Sequence, residues 1–267
     1  MSNTLKSKSL LWISGVAVAI FVAILLAFPA PARFARGIPE EPQVLVEKSI
    51  GNIKYTAAFD PVQQAVYAEM MFDYFTPEGV QEYIAFNRTF SQELAQSNRD
   101  QLHVIVHFSR PLSQEEFEAF VKRYDVQVHS YFIRAVEADG WRAGISGGPV
   151  DGQLVPRDLL NTAINDMEKR NATEIKGWVE AVVTTDSANL KLMQHDPNIV
   201  LTEVSHMLIY DALTPEVLHR AGASAETIRK IQRDPFEDRV VQITGPGLHW
   251  YLEDLGLVPM PTHSSQR

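Results

Sequence analysis

Apolar and polar positions alternate most clearly along residues 102–204, where strand and helix periods follow one another. Residues 102–108 have the two-residue period of a strand, and residues 126–136 form a second β-prone run. Between these strands we predict a helix, because Phe117, Phe120, Val121 and Tyr124 are spaced so that they lie on one helical face. Two further strands, at residues 178–184 and 199–204, flank a short helix. This order predicts an α+β fold, a ferredoxin-like βαββαβ sandwich with flanking helices and a four-stranded antiparallel sheet.

The other patterns define the domain organisation that we expect around this sandwich. The ferredoxin-like domain covers residues 101–205, with an insertion at 138–176 that holds a glycine-rich turn and a helix opened by Pro156. Residues 44–100 form a hairpin and a helical segment, in which proline and capping residues predict helices over 60–75 and from Thr76 onward. Residues 206–258 are expected to be helical, and residues 259–267 a loose tail.

An apolar run near the start of the sequence predicts a membrane anchor. The run begins at Leu10, ends at Phe28 and contains no charged residue, and as a helix it is about 28 Å long, close to the thickness of a bilayer core. We therefore expect a single-pass transmembrane helix or signal-anchor at 10–28, between a short tail at 1–9 and a proline-rich linker at 29–43. The expected partner is the lipid bilayer, with the C-terminal domain outside the cytoplasm. Cleavage near Ala32, which yields a secreted protein, is the alternative.

Charge and cysteine content exclude several classes of function. The chain of 267 residues has a formal net charge of −9 and no cysteine. Because an acidic surface repels phosphate, we expect no nucleic-acid partner, and the helix-turn-helix rhythm of residues 220–228 is interpreted as a plain helix corner. Without cysteine there is no disulfide, no iron–sulfur cluster and no cysteine zinc site. We expect no cofactor.

The first two strands of the sandwich supply the candidate binding surface. His103, Ile105 and His107 share the strand face away from the helices, and we expect His129 and Tyr131 beside them. His103 and His107 are about 13 Å apart along a strand, which is too far to share one metal ion, so we expect no metal site. This face, or the edge of the sheet, is expected to bind a protein or peptide.

A Gly-x-Ser-x-Gly motif at residues 144–148 gives the alternative function, an exported hydrolase with its site near Ser146. A nucleophile elbow requires a strand directly before the serine and a helix directly after it. Pro149 and Asp151 follow instead, which favours a loop. The sequence therefore favours a non-enzymatic, membrane-anchored binding or regulatory module over an enzyme.

Parts of the sandwich resemble a known family. Residues 104–108, the helix after Pro111-Leu112-Ser113 and residues 190–200 are similar to the inhibitor-type propeptide domain of subtilisin-like proteases. The resemblance covers roughly 70 residues and rests mainly on the core pattern. It implies the ferredoxin-like fold and, in that family, a sheet that docks on the protease. The insertion at 138–176 departs from the family, so we transfer no functional residue.

Overall fold

The computed structural model describes residues 42–171, 173–234 and 240–264. Within them the chain is α+β, with nine strands and eight helices. In chain order the elements are β1 (Gln43–Ile50), β2 (Ile53–Asp60), β3 (Ala65–Met71), α1 (Pro77–Leu94), β4 (Leu102–Leu112), α2 (Gln114–Tyr124), β5 (Gln127–Val136), β6 (Arg142–Gly147), α3 (Arg157–Asn171), β7 (Glu174–Thr185), α4 (Ser187–Met193), β8 (Ile199–Glu203), α5 (Met207–Tyr210), α6 (Pro215–Arg220), α7 (Ala225–Arg233), β9 (Val241–Thr244) and α8 (Leu248–Asp254).

The first sheet has the strand order β1-β2-β3-β9. Its first three strands are antiparallel neighbours in sequence, whereas β9 joins β3 in parallel, with Val66 opposite Val241. Alternate residues of β2 are buried, which is the pattern of a strand with one face on the core. That face packs against α1 and the C-terminal helices.

The helix expected over residues 60–75 is wrong, because the segment consists of the end of β2, a turn and β3. Asp60 looked like a helix cap before proline. Its carboxylate instead accepts the backbone N–H groups of Val62 and Gln63, at 2.8 and 2.9 Å, within the tight turn that leads into β3. Aspartate stabilises turns and helix starts through the same kind of hydrogen bond, so the local sequence does not distinguish the two.

The second sheet has the strand order β6-β5-β7-β4-β8, with every neighbouring pair antiparallel. Strands β5, β7, β4 and β8, with α2 and α4 as connections, have the strand order of a βαββαβ unit. Strand β6 adds an edge within the segment where we expected a glycine-rich turn. Its glycines fit there because the rings of Phe132 and Tyr131 lie where a Cβ at Gly144 or Gly147 would be.

The predicted fold class is therefore corrected. We predicted a membrane-spanning helix followed by a single sandwich, whereas the described residues form two sheets and eight helices. Among those residues, no helix is both long and apolar enough to cross a bilayer, so the prediction of a single-pass membrane protein is not supported. The segments assigned to the tail and to the transmembrane helix, with most of the linker, lie outside the described residues.

The second sheet is covered on both faces, and this arrangement positions the candidate site. Its helix side buries Val104, Val106 and Phe108 against α2 and α4. On the other face, Tyr83 of α1 contacts Glu203, and His249 of α8 contacts Glu180. The face that carries Ile105 and His107 is thus enclosed by other parts of the same chain.

Candidate functional site

A cavity of about 210 Å³ lies between the two sheets. Its apolar wall comes from β3, β4, β7, β9 and the start of α8, through Met70, Ile105, Val182, Ile243 and Leu248. Its polar lining consists of Tyr83, Glu180, Glu203 and His206, and the loop of Gly245, Pro246 and Gly247 also borders it. Ligand sites typically combine such an apolar wall with a few convergent polar groups.

Glu203 is a buried carboxylate at the end of β8 and is held by two side chains. The Tyr83 hydroxyl donates to its Oε1 at 2.5 Å, and His107 Nε2 donates to its Oε2 at 2.8 Å. Burial by itself would raise the pKa of Glu203, but the hydrogen bond and charge of His107 lower that pKa below its usual value. Burial and the nearby Glu203 charge raise the pKa of Tyr83 well above its usual value, so the phenol stays protonated and donates.

Glu180, on β7, is the second carboxylate. Its Oε2 accepts a hydrogen bond from His249 Nδ1 at 2.8 Å and lies 3.4 Å from His107 Nδ1. Burial raises the pKa of Glu180, but His249 and His107 more than offset that effect and the pKa is lowered. Its other oxygen, Oε1, accepts no hydrogen bond from any side chain or backbone group in the described part of the chain.

His107 connects the two carboxylates. Its side chain is 1% exposed, and burial would lower its pKa, but the hydrogen bond that it donates to Glu203 and the charges of Glu180 and Glu203 raise the pKa overall. The raised pKa means that His107 is a charged imidazolium, which lies between the carboxylates of Glu180 and Glu203. His206, which lines the same cavity, differs: burial lowers its pKa despite both carboxylates, so its ring is neutral. Tyr83, His107, Glu180, Glu203 and His249 are called the carboxylate–imidazole cluster below.

The residues predicted as a binding surface are divided among three places. His107 belongs to the carboxylate–imidazole cluster and Ile105 lines the cavity. His103 and His129 lie further along the sheet, where both rings are hydrogen-bonded to the Thr184 hydroxyl, at 3.1 and 2.7 Å.

Tyr131 is buried on the helix side, against Phe117 and Trp178. An irregular register of β5 between Val128 and Ser130 separates its face from that of His129. The five residues therefore do not form one continuous surface, and their role in binding a protein or peptide stays a prediction.

His103 provides a pH-dependent prediction. Its side chain is buried, and burial, reinforced by His129, lowers its pKa to about 4. A histidine in the unfolded chain has a pKa near 6.5. Between about pH 6.5 and pH 4, His103 is therefore protonated in the unfolded state but not in the folded state, which favours unfolding. The free energy of unfolding should drop by about 3 kcal/mol over this interval through His103 alone. Urea unfolding of the wild type and of His103→Gln at several pH values measures this contribution.

The control for this prediction is His195→Gln, which removes an exposed histidine. The stability of the His103→Gln variant should fall less steeply with acidification than that of the wild type, whereas the control should follow the wild type. Equal slopes in all three proteins would contradict the assignment.

Sequence reasoning missed most of the carboxylate–imidazole cluster. Glu180 and Glu203 are charged residues within β-branched and apolar strand segments, and this was the available signal. The alternation of a strand predicts that such residues face solvent. Only the packing of α1 and α8 against this face shows that the two carboxylates lie inside the protein. Tyr83 and His249 come from α1 and α8, far away in the sequence, and no local pattern places them beside β4.

Ser146, the centre of the alternative hydrolase hypothesis, lies exposed on the edge strand β6. Its hydroxyl makes no hydrogen bond with a histidine or carboxylate among the residues that the structure describes. A serine nucleophile needs an adjacent base, so this geometry gives the hydrolase hypothesis no support.

The described ranges also contain no group of three or more histidine, aspartate or glutamate side chains arranged to hold a metal ion. Comparison with known proteins gives no match: no family model fits the chain, and no curated protein or solved structure is detectably similar to it. The resemblance to the subtilisin propeptide domain thus stays a prediction, and the function has to be argued from the cavity.

Proposed function

We propose that this chain is a small-molecule-binding module whose ligand occupies the cavity between the two sheets. The observation that carries the proposal is a pair of carboxylates at the wall of a mostly apolar cavity: Glu203, which is buried, and Glu180, whose side chain is 18% exposed. Burying a charge costs several kcal/mol even when it is paired, and hydrophobic residues of similar size would stabilise the fold as well or better. Perturbed ionisable groups that converge on a cavity are therefore more typical of a functional site than of a structural core.

The cavity also limits the kind of ligand. Its volume of about 210 Å³ lies below the range of about 300–1,000 Å³ that drug-sized ligands occupy. A peptide or protein segment does not fit inside it, whereas a compact organic molecule does. The binding role expected from the sequence is kept, and the ligand becomes a small molecule that enters between the sheets.

A fragment screen on the full-length protein tests the proposal. Compact fragments should bind, as seen by ligand-observed NMR, and Ile243→Trp should abolish binding because the indole fills the cavity from the edge strand β9. The matched control is Leu192→Trp, which places the same side chain at a position on α4 that is 60% exposed. Thermal unfolding of both variants verifies that they fold.

Two results would overturn the proposal. One is a screen in which no fragment binds the wild type. The other is binding that persists unchanged in a folded Ile243→Trp variant, because the ligand would then occupy another place.

A further inference from the structure

We propose that the ligand of the cavity is a compact organic monocation, an alkyl- or cycloalkylammonium, whose N–H group donates to Glu180 Oε1. This inference rests on the proposed function and adds the chemical class of the ligand.

The charges that surround the cavity determine the sign of the ligand. Glu180 and Glu203 both line it, and no lysine or arginine is among the described residues of its wall. The imidazolium of His107 lies behind the carboxylates and is shared by both, while the His206 ring in the wall is neutral. An anion would meet two carboxylates at short range in a medium of low dielectric constant, where like charges repel strongly. A cation is attracted by the same field.

Unused hydrogen-bonding capacity indicates where the cation sits. Both oxygens of Glu203 are occupied, by Tyr83 and His107, and Oε2 of Glu180 is occupied by His249. Oε1 of Glu180 is the carboxylate oxygen that accepts nothing from the described residues. Because the Glu180 side chain is 18% exposed, this oxygen is open to a ligand, and an ammonium group supplies both a donor and the opposite charge.

The separation between His107 and Glu180 leaves negative charge beside the cavity. The Nδ1 of His107 makes no hydrogen bond, although the side chain is almost completely buried and Glu180 Oε2 is only 3.4 Å away. His107 thus forms a close ion pair with Glu203, at 2.8 Å, and a longer one with Glu180, so the charge of Glu180 remains available to a cation in the cavity.

The walls determine the rest of the ligand. Five apolar side chains line the cavity and favour a hydrocarbon body over a polar one. The volume of about 210 Å³ restricts this body to a compact one, such as a single saturated ring. Cyclohexylammonium has this size and charge, and is a suitable probe.

Three probes of similar shape and different charge test the inference with the full-length protein. Cyclohexylammonium should bind at least about tenfold more tightly than neutral cyclohexanol, because a charge-assisted hydrogen bond is about twice as strong as a neutral one. Cyclohexanecarboxylate should not bind. Glu180→Gln should remove the preference for the amine over the alcohol, while binding of the alcohol persists. Calorimetric titration measures all the affinities.

The control variant is Glu47→Gln, which removes an exposed carboxylate on β1 and should leave the three affinities unchanged. Glu180→Asp serves as a second variant if the glutamine variant does not fold, and its shorter side chain should weaken amine binding selectively. Equal binding of the amine and the alcohol to the wild type overturns the inference but leaves the cavity as a ligand site. An absence of binding for the amine overturns it as well, and the fragment screen then decides separately whether the proposed function fails with it.

Discussion

Replacing Glu253 with glutamine should destabilise the protein by roughly 3–5 kcal/mol, because the change leaves a buried arginine without its anion. Arg134 on β5 is 0% exposed, and its Nε donates to Glu253 Oε1 at 2.8 Å. Arg142 donates to the other oxygen of Glu253 at 2.7 Å, and the Arg134 guanidinium lies 3.7 Å from the ring centroid of Trp250. Glutamine keeps the shape of the side chain, so the measured loss in urea unfolding reports mainly on charge.

Asp254 provides the matched control for this variant. It also binds Arg142, at 2.6 Å, but its side chain is 49% exposed, so Asp254→Asn should cost less than about 1 kcal/mol. Replacing Arg134 and Glu253 together by methionine should recover much of the loss, since a buried pair exchanged for apolar side chains is often nearly neutral. Similar losses for Glu253→Gln and Asp254→Asn would show that the burial of Arg134 does not matter.

Gly177→Ala should have a comparable effect, about 3 kcal/mol or more, at the point where β7 passes the end of β4. Gly177 has φ +128, and a Cβ on it would overlap the backbone carbonyl oxygen of Leu112. Both the conformation and the close approach need glycine, and a backbone oxygen in a paired strand cannot move aside cheaply. The register of β4 and β7 shifts between His107 and Leu112, so the alanine variant should strain this irregularity.

Gly152→Ala separates the two contributions. Gly152 also has a positive φ, +76, but a Cβ there meets no atom within 4 Å. Its replacement should therefore cost only the backbone strain, about 1–2 kcal/mol. If the two alanine variants unfold at the same denaturant concentration, the contact with Leu112 has no energetic weight.

Local patterns in the sequence were sufficient for the elements that depend on them. The alternation around β4 assigns Val104 and Val106 to one face and Ile105 and His107 to the other, as the structure has them. The capping box of Ser113 and Glu116 starts α2, because both of its hydrogen bonds lie within four residues. Such features need no knowledge of distant parts of the chain.

The remaining parts depend on contacts between distant residues. The first sheet is completed by β9, which pairs with β3 although it lies near the other end of the described residues. No local sequence pattern indicates this pairing. The same holds for the candidate site. Tyr83 meets Glu203 across 120 positions, and His249 meets Glu180 across 69. A polar strand residue looks the same in the sequence whether water or a buried partner faces it, so the cavity was not predictable.

The parallel pairing of β3 with β9 has a consequence for biosynthesis. Until Val241 to Thr244 leave the ribosome, β3 has an unpaired edge, and the hydrophobic face of the first sheet lacks the C-terminal helices that complete its cover. At a translation rate of about 5–20 residues per second, this exposure lasts roughly 10–30 s. A nascent chain with an open strand edge is prone to pair with other chains, so transient chaperone protection during translation should raise the yield of native protein.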